Sequence, residues 1–247
     1  MNYILSKRKP EVGDRGFIIG NRFIPIQRSN EGFKIPEEGL IFYEDFIEWR
    51  GSSLTGQNYS INGSYPSYDN DSKLKRNAAT FNGNTRIDIT NMTFPSGANP
   101  FTISFCIQLN SNSDENDDSK NPVFGFGNHG YWNQQIWIGV SQQSITLATH
   151  GSGSWGYGCS HGVGINEWHN FIITYDGSYL KHYVDNVLKG TSEQHTLLTR
   201  TASVGCFGTY AYQVNDTHFN GKLSSFRIYN RVLEDSEIKS LSKEFKI

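Results

Sequence analysis

The sequence predicts an all-β protein, built as a two-sheet antiparallel sandwich with an N-terminal hairpin arm and a short C-terminal helix. About ten short runs of β-branched and aromatic residues are separated by turns rich in Gly, Asn and Ser. No heptad pattern occurs, and helical periodicity first appears close to the C-terminus. Charged residues make up only 19% of the chain, which is typical of a turn-rich β-sandwich.

Residues 1–38 differ from the rest of the chain and are predicted to form a docking arm. They contain seven Lys or Arg residues and five acidic residues, with three prolines among them. Residues 16–26 are typical of a small hairpin that turns at Gly20-Asn21. A lone hairpin is marginally stable in water, so it must pack either on the sandwich or on another protein. The linker-like frame of prolines and charges favours docking on another protein.

The sandwich is predicted to span residues 39–247, opening with a strand around residues 40–43. A long polar loop is expected over residues 51–76, and Asn82-Gly83 between two apolar runs predicts a hairpin. Residues 100–109 alternate as a strand, and short strands follow at 123–126, 135–140 and 144–148.

Residues 167–190, EWHNFIITYDGSYLKHYVDNVLKG, have the strongest strand pattern in the chain. Two tight turns, Asp176-Gly177-Ser178 and Asp185-Asn186, separate runs of strand length, which predicts a three-stranded antiparallel meander. Trp168 stands at the start of the first strand and is expected in the core.

The C-terminal part is predicted to hold a strand over 202–208, a closing strand from Phe219, and the helix. Glu234 stands in the cap position of this helix and Glu237 three residues later. Ile238, Leu241 and Phe245 follow at helical spacing and give it one apolar stripe.

The meander and the closing strand resemble the concanavalin A-like, laminin G-type jelly-roll family. The matching pieces are Trp168-His169, Tyr175-Asp176-Gly177, Tyr183-Val184-Asp185, Phe219-x-Gly221 and the run from Phe226 to Arg231. The resemblance covers residues 38–247 and implies a jelly-roll sandwich. Members of this family include recognition domains, glycoside hydrolases and proteins with a structural calcium ion, so the resemblance makes each of these properties a candidate for this chain.

Bulk composition argues against several partners. The net charge is −2 and the pI about 6.4, so there is no overall signal for binding nucleic acid. The chain has no run of ~18 apolar residues, so no membrane span is predicted, and the N-terminus lacks a signal-peptide core.

The odd count of cysteines, Cys106, Cys159 and Cys206, fits synthesis in a reducing cytosol, and Cys106 is expected to be a buried thiol.

The acidic residues do not predict catalysis. A retaining glycoside hydrolase needs two carboxyl groups about 5–5.5 Å apart, and enzymes of this fold family place them on an E-x-D-x-x-E strand. The nearest match, Glu44 to Glu48, has the wrong spacing. The chain is therefore predicted not to be an enzyme, with a glycoside hydrolase kept as an alternative.

Among metal ions, the sequence allows the prediction of a structural calcium ion. Asp114, Asp117 and Asp118 lie in an acidic loop and could supply carboxylate oxygens. Their spacing is not that of an EF-hand, and a solvated acidic loop is the simpler interpretation.

Three loops have the composition of a sugar-binding surface, in which rings stack on sugar faces while amides and carboxylates bind hydroxyls. The loops span residues 127–134, 149–158 and 208–218. The candidate glycan-binding residues are Tyr131, Trp132, Asn133, Trp155, Tyr157, Tyr210, Tyr212, Asn215 and Asp216. The alternative is that these rings pack on one another or on a neighbouring subunit of a homo-oligomer.

A recognition-type fold without an export signal suggests a bacteriophage virion component, on a tail or a head. Residues 1–38 would bind other virion proteins, and the sandwich would recognise glycans or a host surface. Many copies on one particle would strengthen weak sugar contacts through avidity. A bacterial surface or secreted carbohydrate-binding module is the alternative.

Overall fold

The computed structural model describes residues 16–19, 22–25, 35–110, 121–127, 135–150, 155–197, 202–210 and 218–244. These residues form seventeen strands and one helix, which confirms the predicted all-β class. The strands are β1 (Gly16–Ile19), β2 (Arg22–Pro25), β3 (Leu40–Glu44), β4 (Asn58–Gly63), β5 (Ser67–Asp71), β6 (Arg76–Asn82), β7 (Thr85–Thr90), β8 (Phe101–Leu109), β9 (Pro122–Phe126), β10 (Gln135–Val140), β11 (Ser144–His150), β12 (Trp155–Ser160), β13 (Trp168–Tyr175), β14 (Leu180–Val184), β15 (Val187–Thr191), β16 (Val204–Phe207) and β17 (Asn220–Tyr229), and the helix is α1 (Asp235–Leu241).

Two antiparallel sheets form the sandwich. The seven-stranded sheet has the order β12-β11-β10-β9-β16-β7-β4. The eight-stranded sheet has the order β15-β14-β13-β8-β17-β6-β5, and β3 pairs with β17 beside it. The predicted meander is β13-β14-β15, and Asp185 and Asn186 form its second turn with positive φ angles of 50° and 68°.

The predicted N-terminal hairpin is confirmed. β1 pairs with β2, with Ile19 opposite Arg22, while the predicted turn residues Gly20 and Asn21 lie outside the described residues. Among the described strands these two form a sheet of their own, separate from both sheets of the sandwich. The rest of residues 1–34 lies outside the described residues, so the docking role of the arm stays a prediction.

The core between the sheets is rich in phenylalanine. The Phe226 ring lies 4.6 Å from Phe124, 5.0 Å from Phe207 and 5.8 Å from Phe105, measured between ring centroids. Such close aromatic contacts add to the free energy gained by burying the rings. Trp168 is 6% exposed and therefore buried as predicted, but it lies outside this core, in a separate cluster with Ala78 and Cys106 on the outer face of the eight-stranded sheet.

Helix α1 covers the outer face of the eight-stranded sheet. Ile238 and Leu241 pack there against Ile172 and Tyr229. The backbone N–H of Glu234 donates to the Glu237 carboxylate at 2.9 Å, as the predicted cap requires. Within the described residues, no helix is long and apolar enough to cross a membrane.

One hairpin prediction and two loop predictions were wrong. The strands on either side of Asn82-Gly83, β6 and β7, do not form a hairpin, because β6 lies in the eight-stranded sheet and β7 in the seven-stranded sheet. The polar segment 51–76 contains β4 and β5, and the Gly-rich segment 149–158 contains the end of β11 and most of β12. β4, β5 and β12 are edge strands, which need few apolar residues because one side of an edge strand has no neighbouring strand. Cys159 therefore lies in a strand, and all three cysteines are buried free thiols.

Candidate functional site

A half-buried tryptophan stands on the outer face of the seven-stranded sheet. Side chains alternate along a strand, so Ile136 and Ile138 point into the core while Trp137 points away from it. The residues opposite Trp137 on the adjacent strands are Gly125 and Ala148. Since neither neighbour has a side chain larger than a methyl group, the indole ring is not enclosed by large neighbours across the strands.

The segment Gly208 to Tyr210 folds back over this face. It leaves β16 at Gly208, which has a positive φ of 84° and donates its N–H to Val123 O at 3.0 Å. The Cys206 thiol then donates to Thr209 O at 3.5 Å, and Gln135 Nε2 donates to Tyr210 O at 2.9 Å. The segment thus runs across the sheet to the strand that carries Trp137.

This crossing brings the bases of the three predicted aromatic loops to one end of one sheet. Gln135, where the first loop ends, pairs with His150, where the second loop begins. Thr149 pairs with Trp155, where the second loop ends. Tyr210, at the start of the third loop, is bound to Gln135. We call this region the loop end of the sheet.

The structure describes few of the predicted glycan-binding side chains. Tyr210 is half-buried at the loop end, and Tyr157 is half-buried beside the ring of His182, 5.1 Å away between centroids. Only the backbone of Trp155 is described. The remaining candidates, Tyr131, Trp132, Asn133, Tyr212, Asn215 and Asp216, lie outside the described residues.

An ion pair lies on the same outer face. Arg86 Nη2 donates to Asp88 Oδ2 at 3.0 Å, and Arg86 Nε lies 2.9 Å from Asp88 Oδ1. Both side chains are buried, and burial raises the pKa of Asp88 while Arg86 opposes that rise. Cys206 lies between Asp88 and Gly125 in the strand register. The two opposite charges therefore lie on β7, next to the edge strand β4.

The one close contact between a thiol and a histidine in the described residues does not form an activated nucleophile. Cys159 Sγ lies 3.3 Å from His182 Nδ1. Burial lowers the pKa of His182 to about 3 and raises the pKa of Cys159 to about 11. Both groups are therefore neutral near pH ~7, and a neutral thiol is a poor nucleophile.

A second group of rings, not anticipated as a site, lies where β4 and β5 form matching edges of the two sheets. We call it the edge cluster: the side chains of Trp49, Arg50, Tyr59, Tyr65 and Tyr68, with the carboxyl groups of Glu44, Asp45 and Glu48. The centroid of Trp49 lies 5.9 Å from Tyr59 and 6.0 Å from Tyr65. The three tyrosines stand in the segment predicted as a polar loop, and their number was the signal that could have revealed the cluster.

The Glu44 carboxyl lies beneath the edge cluster and is 3% exposed. Arg50 Nη1 lies 3.3 Å from Glu44 Oε1 and 2.7 Å from Asp45 Oδ1. Burial raises the pKa of Glu44 to about 7, and the Asp45 carboxyl adds to that rise.

No calcium site is visible in the part of the chain that the structure describes. Within it, no group of three or more His, Cys, Asp or Glu side chains could hold a metal ion. Asp114, Asp117 and Asp118 lie outside that part, so calcium binding by the acidic loop stays a prediction.

Comparison with known structures places the fold. Domain 4 of AbnA, a GH43 extracellular arabinanase from Geobacillus stearothermophilus, solved with arabinotriose, has a TM-score of 0.65 at 18% identity, over 84% of this chain and 100% of that one. The botulinum neurotoxin serotype D/C VPI 5993 binding domain has a TM-score of 0.64 at 15% identity, over 84% of this chain and 52% of that one. A botulinum neurotoxin type C structure, described by its dependence on two ganglioside molecules for cell entry, has a TM-score of 0.64 at 15% identity, over 85% and 52%.

These likenesses show the fold alone, and the chain spans about half the length of the toxin domains. No curated protein matches the chain in sequence. The family model described as the concanavalin A-like lectin/glucanases superfamily matches residues 81–239, and the chain therefore belongs to that superfamily.

Proposed function

We propose that the protein is a non-enzymatic recognition protein whose sandwich binds carbohydrate at the loop end of the seven-stranded sheet. The observation that carries this proposal is Trp137, a half-buried ring between Gly125 and Ala148 on the face crossed by Tyr210. Glycan sites combine a ring that stacks on the apolar face of a sugar with nearby groups that bind its hydroxyls. Gln135, two residues before Trp137 on the same face, is buried and donates Nε2 to Tyr210 O at 2.9 Å, so it holds Tyr210 at this face.

The proteins with similar structures support carbohydrate as the class of ligand. The arabinanase domain was solved with arabinotriose, and the type C toxin is described with ganglioside. Both ligands contain sugars, although these proteins are less than 20% identical to this chain. The arabinanase domain is matched over its whole length and supports the proposal more directly, whereas this chain matches only 52% of the type C toxin chain.

Substitution of Trp137 tests the proposal. Trp137→Ala is expected to weaken binding to glycans on an array at least about five-fold, since a stacked ring contributes roughly 1 kcal/mol or more. The melting temperature should change little because the ring lies outside the core. Trp168→Ala is the matched control, and it should destabilise the protein by about 3–5 kcal/mol through loss of a buried ring. A comparable loss of stability in Trp137→Ala would contradict the proposal.

For the arm, we propose attachment to a bacteriophage virion through residues 1–38, with localisation on the particle. The separate β1–β2 sheet supports this, because a two-stranded hairpin needs a partner surface to be stable. Deletion of residues 1–38 should leave glycan binding unchanged and abolish incorporation into particles. Normal incorporation of the shortened protein would contradict attachment through the arm. Absence of the full-length protein from particles would favour the alternative, a bacterial surface or secreted carbohydrate-binding module.

The non-enzymatic part of the proposal has its own test. Incubation with a broad panel of polysaccharides should release no reducing ends. Release that is lost on one acidic substitution, such as Asp88→Asn, would instead establish a glycoside hydrolase.

A further inference from the structure

We propose that the edge cluster is a second carbohydrate-binding site and that it takes neutral sugars. It is separate from the loop end, because β4 lies four strands away from β10 in the seven-stranded sheet. At ~4.8 Å per strand, that separation is about 19 Å. The two sites could therefore bind two units of one glycan, or two glycans, at the same time.

The rings of the edge cluster form an exposed corner. Tyr65 is 69% exposed and stands at 79° to Trp49, with 6.0 Å between the ring centroids. Tyr59 lies behind Trp49, 5.9 Å away and tilted by 34°. Single exposed rings are common on protein surfaces, but here the exposed Tyr65 ring packs against Trp49, which packs in turn against Tyr59. Two rings at nearly a right angle can contact a sugar ring on two of its sides.

The backbone on both sides of Tyr65 is constrained before any ligand binds. Its neighbour Ser64 donates its backbone N–H to Asn84 O at 2.9 Å and accepts a hydrogen bond from Asn84 Nδ2 at 3.2 Å. The following residue, Pro66, is buried, and a proline restricts the residue before it to extended backbone. Less conformational entropy is lost on binding when the backbone of a contact residue is already ordered.

Polar groups suited to sugar hydroxyls adjoin the corner. Arg50 Nη1 donates to Asp45 Oδ1 at 2.7 Å, and Arg50 Nε lies 3.2 Å from Glu48 Oε1. The side chains of Arg50 and Glu48 are 23% and 67% exposed. A guanidinium and a carboxylate offer planar donors and acceptors, which match pairs of neighbouring hydroxyl groups.

The distribution of charge indicates neutral rather than acidic sugars. The most exposed charge in the cluster is the Glu48 carboxylate. Arg50 is already paired with the carboxyl groups of Glu44, Asp45 and Glu48, and Arg76 donates to the backbone carbonyl groups of Asp45 and Ser224. A uronate or sialylated sugar would have to displace one of these carboxylates and approach Glu48.

The five tryptophans of the chain permit a site-resolved test. In the full-length ¹⁵N-labelled protein, each indole N–H gives one NMR signal, and single Trp→Phe variants assign them. A panel of neutral gluco-, manno-, galacto- and arabino-oligosaccharides is titrated beside matched uronate and sialylated ones. We expect at least one neutral oligosaccharide to shift the Trp49 signal, and the same shift to persist in Trp137→Ala.

Two tyrosine variants complete the test. Tyr65→Ala should weaken the binding reported by Trp49 about ten-fold with an unchanged spectrum elsewhere, since one stacking ring is lost. Tyr179→Ala is the matched control, because Tyr179 is also exposed, at 40%, but lies in the turn before β14. It should leave the binding unchanged.

Three results would overturn the second site. The first is a Trp49 signal that no neutral oligosaccharide moves, and the second is a larger shift with acidic sugars than with neutral ones. The third is loss of the Trp49 shift in Trp137→Ala, which would mean a single site. Failure of the loop-end proposal alone has a different signature, in which Trp49 responds and Trp137 does not.

Discussion

The Tyr59 hydroxyl donates a 2.8 Å hydrogen bond to Oε2 of the buried Glu44 carboxyl. The other oxygen, Oε1, accepts from the backbone N–H of Phe46 at 3.0 Å and from Arg50 Nη1 at 3.3 Å. Phe46 has a positive φ of 51°, a conformation that bulky residues rarely adopt. Glu44 therefore stabilises the turn that leads from β3 to Trp49, and links it to the edge strand β4.

Glu44 should make folding stability depend on pH. Burial raises its pKa from 4.5 to about 7, so the folded protein binds a proton more tightly than the unfolded chain. Stability from this group is fully present below pH 4.5 and is lost as pH rises to about 7. The loss should be on the order of 3 kcal/mol, at 1.4 kcal/mol per unit. Urea unfolding across this pH range measures it.

Glu44→Gln should remove most of this pH dependence, because the amide does not titrate. Asp69→Asn is the matched control, since Asp69 is an exposed acid on the neighbouring strand β5. It should leave the slope of stability against pH unchanged. An unchanged slope in Glu44→Gln would show that another group titrates.

The buried ion pair between Arg227 and Glu244 should be essential for stability. Arg227 is fully buried, and its two Nη atoms each lie 2.7 Å from a Glu244 oxygen. Glu244→Gln leaves the buried cation without its counter-charge, which should cost about 3–5 kcal/mol in the free energy of unfolding. Chemical denaturation measures the loss.

A second Arg–Glu pair near the same helix serves as the control. Arg231 and Glu237 are also bidentate, with a 2.6 Å contact, but their side chains are 23% and 25% exposed. Glu237→Gln should cost less than about 1 kcal/mol because water screens the pair. Equal losses in the two variants would mean that burial does not set the strength of these pairs.

Gly208 should be required for the segment that crosses the outer face of the seven-stranded sheet. An added Cβ there would collide with Thr85 O and lie 3.0 Å from the Phe81 ring, in addition to the strain of φ +84°. Gly56 has a similar φ of +99° but open space around it. Gly208→Ala should therefore lower the melting temperature clearly more than Gly56→Ala. Similar losses would show that the collision is relieved by small shifts.

Local turn chemistry made most of the fold predictable, and the exceptions were the edge strands and the connection from β6 to β7. Asp185-Asn186 specifies a tight turn through residues that tolerate positive φ, so the paired strands β14 and β15 could be predicted from the local sequence. Asn82-Gly83 also makes a turn, but the two strands beside it belong to different sheets, which the local sequence does not reveal. The β4 sequence, NYSING, contains one aliphatic residue. It becomes a strand because it pairs with β7, a contact between distant residues that local pattern does not reveal.

The candidate site was predictable in composition but not in assembly. The aromatic loops could be identified from their composition, whereas the meeting of their bases at one end of the sheet depends on the contact between Gln135 and Tyr210, 75 residues apart. Trp137 lay inside a predicted strand, and alternation with Ile136 and Ile138 would have placed it on the outer face. Because the prediction considered aromatic residues only in loops, it did not include Trp137, which lies on a strand.

The three thiols should report on opening of the Gly208–Tyr210 segment. Cys106 and Cys206 are fully buried, and burial raises the pKa of both, while Cys159 has a pKa of about 11. A thiol-specific reagent at pH ~8 should therefore label the folded protein at least about 100-fold more slowly than the unfolded chain. In Gly208→Ala, Cys206 should become labelled faster while Cys106 stays protected, because only Cys206 lies under Thr209. Peptide mass spectrometry resolves the sites, and equal acceleration at both cysteines would indicate global unfolding instead of local opening.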